Sequence, residues 1–155
     1  MINAGRFAAR MDGEFVVFLI GMRINRPWKI WKWWPVASAM PKMLAELGKH
    51  PEMGYLGGHA WFGQTIITLQ YWRSFEQLEG YAHNRDAAHL PAWTAFNKQI
   101  AASGDVGVWH ETYRVTPGLY ENIYVNMPPF GLGAIGTRLP AVGSMHAAAQ
   151  RIQSS

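Results

Sequence analysis

His89 is the residue whose type and position most directly suggest chemistry in this chain. With Trp93, Phe96 and Ile100 it recurs at helical spacing, which places a titratable ring on an otherwise apolar helix face. An imidazole in such a place is either a hydrogen-bonded core residue or the working group of a pocket, where it could remove a proton from a substrate. His83 lies six residues earlier, outside the spacing at which two helical histidines share a metal ion, so the pair is a poor zinc chelate.

His110 and Glu111 form a second candidate site, on a strand predicted over residues 106–116. Because neighbouring strand residues point to opposite faces, these two side chains cannot act as a local pair. Trp109 and Tyr113 share the face of Glu111. If that face lines a pocket, Glu111 lies among aromatic rings that shift its carboxyl towards neutrality and let it shuttle a proton. In the opposite register, His110 lies inside instead.

Other side chains could bind a ligand rather than react with it. Arg23 and Asn25 end the first long strand, where either could bind an oxyanion or a carbonyl group. Aromatic rings supply apolar walls that suit a planar or hydrophobic ligand. The rings that we assign to this pocket are Trp72, Trp93, Trp109 and Tyr113. The chain has no cysteine, which excludes disulfides, thiolate metal sites and cysteine nucleophiles.

The hydrophobic pattern predicts the elements that must position these residues. Long strands are expected at residues 14–25, 61–72 and 106–116, with an edge strand at residues 120–126 and at most a short strand in the glycine-rich connection at residues 54–58. One helix is predicted to begin near Pro41, because proline fits only a first turn, and to end at Gly48. A second begins after Ser74, whose spacing to Gln77 is that of a capping box, and is broken near residues 84–86.

This order of elements is that of an α+β, ferredoxin-like βαββαβ fold. Helices cover one face of such a sheet, whereas these strands are apolar on both faces, so the second face needs a partner. Two sheets facing each other would form a dimeric α+β barrel in a homodimer. Residues 1–13 are expected to be an N-terminal arm, residues 14–132 the barrel domain and residues 133–155 a tail.

Composition and charge exclude several classes of protein. With 15% charged and 49% hydrophobic residues the chain is not disordered. A net charge of +4 without a dense Lys/Arg run predicts no nucleic-acid partner. The longest apolar run, residues 15–21, is too short to span a membrane, and we expect a cytoplasmic protein. The four tryptophans at positions 28, 31, 33 and 34 are expected to line the pocket entrance or to pack on the partner subunit, because such rings are costly to expose.

Five segments carry a resemblance to a known family: VVFLIGMRIN (residues 16–25), YWRS (71–74), HLPAW (89–93), VGVWHETY (106–113) and YENIYVNMP (120–128). As a set they resemble the small monooxygenase-like family that includes a fungal polyketide/terpenoid-pathway monooxygenase. That family belongs to the dimeric α+β barrel superfamily, beside antibiotic-biosynthesis monooxygenases, haem-degrading monooxygenases and haem-containing aldoxime dehydratases. One fold thus hosts cofactor-free oxygenases, haem enzymes and haem carriers.

The resemblance implies an oxidoreductase of the small monooxygenase type that acts on a hydrophobic or aromatic small molecule in an apolar pocket. Two cofactor alternatives stay open. One is haem b, with His89 as the axial ligand and with Arg23 and Tyr81 as further cofactor-binding residues. The other is no cofactor, so that oxygen reacts with a substrate deprotonated by His89, Glu111 or His110. The competing functions are a haem-dependent, aldoxime-dehydratase-like lyase and a non-catalytic protein that binds haem or a hydrophobic ligand.

Overall fold

The computed structural model describes residues 2–84, Thr94, Lys98 and residues 103–154. The strands are β1 (Arg6–Arg10), β2 (Phe15–Ile24), β3 (Tyr55–Trp61), β4 (Thr65–Trp72), β5 (Val106–Val115), β6 (Tyr124–Val125) and β7 (Thr137–Pro140). The α-helices in these ranges are α1 (Ile30–Lys49), α2 (Phe75–His83), α3 (Leu132–Ile135) and α4 (Ala148–Ser154), and 3-10 turns lie at Pro51–Met53 and Gly143–Met145. The chain forms two compact units, Val17–Thr112 and Met1–Val16 together with Tyr113–Ser155.

The unit of residues 17–112 carries a four-stranded sheet in the order β3-β4-β2-β5. With α1 between β2 and β3 and α2 between β4 and β5, the element order is βαββαβ, so the predicted α+β, ferredoxin-like fold is confirmed. β3 and β4 form an antiparallel hairpin in which Tyr55 pairs with Trp72 and Trp61 pairs with Ile67. The sequence predicted little of β3, because Gly57 and Gly58 weaken its strand signal.

One face of this sheet carries the apolar core. Met22 and Ile24 of β2, Ile66 of β4 and Val106 of β5 form a buried cluster, on which Trp33 of α1 packs. Because side chains alternate along a strand, the residues between these point to the other side of the sheet. We call the side under α1 the helix face and the other side the open face.

Helix α1 begins earlier than the prolines predict. It begins at Ile30 and contains both Pro35 and Pro41, whereas the sequence placed its start near Pro41. A proline inside a helix removes one backbone hydrogen bond. The packing of Trp33 on the core, together with a 2.9 Å hydrogen bond from its Nε1 to the Pro27 carbonyl oxygen, offsets this loss in the first turns.

Asp105 holds the segment that leads into α1. Its side chain is 1% exposed and lies 2.8 Å from Arg26 Nη1, 3.0 Å from Lys29 Nζ and 3.0 Å from Lys32 Nζ. Hydrogen bonds from Lys29 and Lys32 hold the pKa of the Asp105 carboxyl well below its ordinary value. The backbone N–H groups of Asn25 and Arg26 also donate to the Asp105 carbonyl oxygen.

The tryptophan segment is turned outward. Trp33 packs on the core, but Trp28, Trp31 and Trp34 are exposed. The place of the segment at a pocket entrance or on a partner subunit stays a prediction.

The segments expected to be an arm and a tail instead fold together. β1, from the expected arm, is the central strand of a three-stranded sheet in the order β6-β1-β7, and Phe7, Ala8 and Ala9 in it are buried. A five-residue strand rich in alanine carries little hydrophobic signal in the sequence. Its hydrogen-bond partner Asn122 is 113 residues away.

The motif at residues 120–128 is what secures β1. Asn122 Oδ1 accepts a hydrogen bond from the Ala9 N–H at 2.7 Å, and Asn122 Nδ2 donates to the Ala9 carbonyl at 2.8 Å. Tyr120 OH accepts from the Met11 N–H at 2.9 Å. The polar side chains of this motif therefore form hydrogen bonds with the backbone of β1, as a neighbouring strand would. Their role is structural.

Helix α2 begins as its capping box predicts. Ser74 has extended backbone geometry and its Oγ accepts a hydrogen bond from the Gln77 N–H at 3.2 Å. The helix ends at His83, beside the predicted break at residues 84–86. Among the described residues, no helix is both long and apolar enough to cross a membrane.

Candidate functional site

The aromatic rings of the helix face gather around Trp72. This residue ends β4, is completely buried, and its ring lies 5.7 Å from that of Tyr55 and 5.6 Å from that of Tyr81. Tyr55 comes from the neighbouring strand β3 and Tyr81 from the second turn of α2. We call these three residues, with Thr68 and Gln70, the Trp72 cluster.

A relay of buried hydrogen bonds fixes the orientation of Trp72. Its Nε1 donates to Gln70 Oε1 at 3.0 Å, Gln70 Nε2 donates to Thr68 Oγ1 at 3.4 Å, and Thr68 Oγ1 donates to the Ile20 carbonyl oxygen at 3.3 Å. Thr68, Gln70 and Trp72 are each at most 1% exposed. Buried polar groups must be paired, so the relay locks one rotamer of each side chain.

Two tyrosine hydroxyls border this cluster. The Tyr81 hydroxyl donates a hydrogen bond to Glu46 Oε2 of α1 at 3.1 Å. Burial is the larger cause that raises the pKa of Tyr81, and the hydrogen bond to Glu46 is the next. Burial also raises the pKa of Tyr55. Its ring lies along the sheet because Gly58 leaves room, since a Cβ there would come within 2.8 Å of the Tyr55 hydroxyl oxygen. Both phenols are therefore neutral at pH 7.

An open groove of about 230 Å³ adjoins the cluster. Its lining residues are Glu52, Met53, Gln77, Gly80, Tyr81 and Asn84. Gln77 Oε1 is buried there without a hydrogen-bond partner. Asn84 is the last residue before a gap in the described part of the chain. The predicted site residues His89 and Trp93 lie outside the described residues.

The second predicted site is divided between the two faces of the sheet. His110 lies on the helix face with Val106 and Val108, its exposed ring 5.8 Å from that of Phe18. Glu111 is exposed and points to the opposite, open face. Glu111 therefore does not share a surface with the Trp72 cluster.

Trp109 lies on the open face with Glu111. Its ring covers Gly21 so closely that a Cβ there would come within 2.5 Å of Trp109 Nε1. His59 of β3 also points to this face, and burial lowers its pKa. Tyr113 belongs to the other unit and is 48% exposed.

Arg23 and Asn25 are both exposed at the end of the first strand of this sheet. Arg23 Nη1 donates to Thr65 Oγ1 at 3.3 Å, and Asn25 Nδ2 donates to the Gly104 carbonyl at 3.0 Å. Arg23 lies on the open face and Tyr81 on the helix face, so they cannot hold the same cofactor within one chain. Within the described part of the chain, the rings of the predicted site residues Trp72 and Tyr81 lie in contact.

The predicted haem site is not assembled by the described residues. Arg23 and Tyr81 point away from each other, and the expected axial ligand His89 lies outside the described residues. Tyr81 donates its hydroxyl hydrogen to Glu46 instead. The described residues therefore do not support a reaction that depends on haem.

Sequence reasoning missed Thr68, Gln70 and Glu46. A signal for the first two was present, since they alternate with apolar residues in TIITLQYW and share a face with Trp72. Polar side chains on the buried face of a strand indicate a hydrogen-bonded network. Glu46 has no such signal, because its partner Tyr81 is 35 residues away.

Comparison with known proteins now adds to this geometry. The sequence profile of the Monooxygenase af470-like family matches residues 15–132. The chain is 27% identical over 130 residues to Monooxygenase af470 of Aspergillus fumigatus, a match that covers 78% of this chain and 46% of that protein. The chain thus spans about half the length of this curated relative.

Among solved structures, an aldoxime dehydratase (OxdRE) in complex with butyraldoxime has a TM-score of 0.71 at 16% identity, over 86% of this chain and 41% of that one. SnoaB, a cofactor-independent oxygenase from Streptomyces nogalater, has a TM-score of 0.46 at 12% identity, over 64% of this chain and 91% of that one. The first likeness shows a shared fold. Because the family profile covers most of the chain, the resemblance found in the sequence is confirmed, and this protein belongs to the Monooxygenase af470-like family.

Proposed function

We propose that this protein is an oxidoreductase of the small monooxygenase type whose substrate is a planar, hydrophobic small molecule. The observation that supports it is the Trp72 ring, held by its hydrogen bond to Gln70 between Tyr55 and Tyr81. Tyr81 lines the open groove, and the buried Trp72 behind it keeps the Tyr81 ring rigid, so that a flat ligand is oriented at little entropic cost. Membership of the monooxygenase family makes oxygenation the leading chemistry.

The proposed reaction needs no external reductant. A base removes a proton from a CH₂ group activated by neighbouring carbonyl or phenol groups, and the carbanion gives electrons to O₂. A C–O bond forms, the O–O bond breaks, and the CH₂ becomes C=O with release of one water. The aromatic walls exclude solvent, which keeps the carbanion from being reprotonated by water.

His89 is the proposed base, with His110 and Glu111 as the earlier alternatives. Glu111 points to the open face, so within one subunit it cannot reach a ligand on the Trp72 cluster. The raised pKa of Tyr81 keeps this residue a hydrogen-bond donor rather than a base. In this scheme Tyr81 contacts the substrate in the groove, and the buried Trp72 and its hydrogen-bond relay hold the Tyr81 ring in place.

The working form is proposed to be a homodimer joined through the open face. Ile67 and Leu69 of β4 point to that face with Trp109, and no helix described above covers them. Apolar residues on an uncovered sheet face favour a partner, and a twofold axis would place two such sheets against each other. Sedimentation velocity at micromolar concentration tests this, and a stable monomer would contradict it.

Oxygen consumption tests the proposed activity directly. The protein, purified from cells supplied with a haem precursor, is mixed with an anthrone as a CH₂ substrate under ¹⁸O₂. We expect uptake of one O₂ per anthrone and one ¹⁸O in the ketone. His89→Ala should lower kcat far more than KM, and Trp72→Phe should raise KM. The control variant Phe62→Tyr, in the exposed turn between β3 and β4, should change neither.

The same sample separates the alternatives. A stoichiometric Soret band that His89→Ala abolishes would favour the haem-dependent, aldoxime-dehydratase-like lyase. Tight anthrone binding without oxygen uptake or any Soret band would favour a non-catalytic binding protein. Either result would overturn the proposed reaction.

A further inference from the structure

The outer side of helix α1 presents large apolar side chains to solvent. Trp31 is 70% and Trp34 59% exposed, and beside them Trp28 is 68% and Ile30 55% exposed. Trp31 and Trp34 are three residues apart and therefore neighbours on the helix surface. The Trp34 ring also stands edge-on to that of Trp33, which packs on the core, with 6.0 Å between the ring centroids. A contiguous apolar surface of this kind indicates a binding partner.

Positive charge continues along the same side of the helix. Lys42 and Lys49 are exposed, and at seven residues apart they lie on one face. Residues 26–49 hold five basic side chains and one acidic side chain, whereas the rest of the chain has nine of each. The whole net charge of +4 thus lies in this segment.

The acidic groups near this surface are already engaged. Glu46, the acid within residues 26–49, accepts the hydrogen bond from Tyr81. Asp105 is buried beneath Arg26, Lys29 and Lys32, so one negative charge faces three positive charges. A strong cationic field therefore remains around the exposed tryptophans.

These ion pairs also fix the orientation of the rings. Lys29 and Lys32 alternate with Trp28 and Trp31 along the chain, and their contacts with Asp105 turn the lysines inward. Trp31, which lies between the two lysines, points outward and is 70% exposed, whereas Trp33 packs inward on the core. The exposure of the rings thus follows from the folded structure of the segment.

From these observations we propose that the outer side of α1, with Trp28 and Ile30, is a surface that binds an anionic lipid bilayer. Tryptophan rings with lysines and without free carboxylates are typical of helices that lie in the membrane interface. At 20 residues the helix is about 30 Å long, and its inner side packs on the sheet, so it would lie flat on the membrane rather than cross it. This proposal does not depend on the proposed activity.

Charge argues against a second copy of the chain on this surface. A twofold interface brings the same patch of both subunits together. Here it would place two positively charged surfaces against each other, each with a net charge of +3 once Asp105 is counted with residues 26–49, which is unfavourable. Negatively charged headgroups complement the lysines, and the acyl region accepts the indole rings.

Binding to vesicles tests the proposal. The full chain is mixed with vesicles of phosphatidylcholine alone or with about 30% phosphatidylserine, and bound protein is measured by flotation. We expect binding to the anionic vesicles that falls as salt rises. Each lysine near the surface contributes about 1 kcal/mol, so Lys42→Gln with Lys49→Gln should weaken partitioning about 30-fold. Trp31→Ser with Trp34→Ser should weaken it at least about tenfold.

Matched variants keep the test specific. Phe62→Ser removes a ring that is 68% exposed in the β3–β4 turn, and Arg73→Gln removes an exposed cation before α2. Both should bind vesicles within about twofold of the unchanged protein. Tryptophan quenching by brominated lipids should be lost when Trp28, Trp31 and Trp34 are all replaced by phenylalanine.

Three results would overturn the proposal. The first is equal vesicle binding by all variants or no binding at all. The second is a dimer that Trp31→Ser with Trp34→Ser converts to a monomer, which would assign the surface to a second copy. The third is binding to a single-stranded oligonucleotide that depends on the same residues, without quenching by brominated lipids, which would assign it to nucleic acid.

Discussion

Replacing Gln70 by methionine tests whether the buried relay holds Trp72 in place. Methionine is close to glutamine in size but has no amide, so Gln70→Met leaves the Trp72 Nε1–H without its acceptor in a fully buried position. Thr68 keeps its hydrogen bond to the Ile20 carbonyl and stays satisfied. The substitution therefore leaves the Trp72 N–H as the group without a partner.

The expected cost follows from that single group. An unsatisfied buried donor costs about 1–3 kcal/mol, and the Gln70–Thr68 bond at 3.4 Å is long enough to add little. We expect the free energy of unfolding to fall by about 2 kcal/mol. For a chain of this size, about 2–4 °C per kcal/mol gives a melting temperature lower by about 4–8 °C.

A double-mutant cycle isolates the interaction. Trp72→Phe removes the hydrogen-bond donor, and the double variant Gln70→Met/Trp72→Phe removes both polar partners. The double variant should therefore be about 1–2 kcal/mol more stable than the sum of the two single effects predicts. Urea unfolding supplies the free energies, and hydrogen exchange of β4 amides shows that the loss lies in this unit. Leu69→Met, on the open face of the same strand, is the matched control. Additivity within about 0.5 kcal/mol would refute the reasoning.

Three further changes have defined outcomes. Asn122→Ala should lower the free energy of unfolding by about 2–3 kcal/mol, because the part-buried N–H and C=O groups of Ala9 both lose their hydrogen-bond partner. The amides of β1 should then exchange hydrogen faster, and an unchanged exchange rate would contradict this. Because its lysine partners hold the pKa of Asp105 below 3.8, the contribution of this carboxylate to stability is complete above that pH and is lost as the pH falls further. Urea titrations give the free energy of unfolding of the unchanged protein and of Asp105→Asn. The difference between these two free energies should therefore stay constant from pH 7 to about pH 4 and become smaller only below about pH 4. A difference that already becomes smaller near pH 6 would contradict this prediction. Gly21→Ala should displace the Trp109 ring, seen as a changed near-ultraviolet circular dichroism spectrum, whereas Gly48→Ala, with open space around it, should leave that spectrum unchanged.

The ferredoxin-like part of the fold was predictable because its signals are local. The apolar runs of β2, β4 and β5 and the Ser74–Gln77 cap each lie within about ten residues, and the structure contains all four. The start of α1 was not predictable in the same way. Its two prolines indicate a boundary, whereas the contact of Trp33 with the core and the charges around Asp105 decide where the helix begins.

The same difference between local and long-range signals applies to the residues of the candidate site. Trp72 was expected as an aromatic wall of a pocket and Tyr81, through the family resemblance, as a cofactor-binding residue, and the structure places their rings 5.6 Å apart. Glu46 was missed because its role depends on a contact between two helices. For His110 and Glu111 the sequence left the register open, since alternation assigns them to opposite faces without saying which face is covered. The packing of Val106 under α1 resolves that point.

The central place of β1 has a consequence for the order of events during synthesis. The strand leaves the ribosome before both of its neighbours, which come from residues 124–140, and its anchor Asn122 follows Ala9 by 113 residues. At about 5–20 residues per second, the 113 residues between Ala9 and Asn122 take roughly 6–23 s to synthesise, during which both edges of β1 are unpaired. The ferredoxin-like unit, complete at residue 112, can fold during that interval. A nascent chain that stalls before Asn122 would therefore expose an unpaired strand beside a finished domain, which makes that stage the most vulnerable to aggregation and the one at which a chaperone would be most useful.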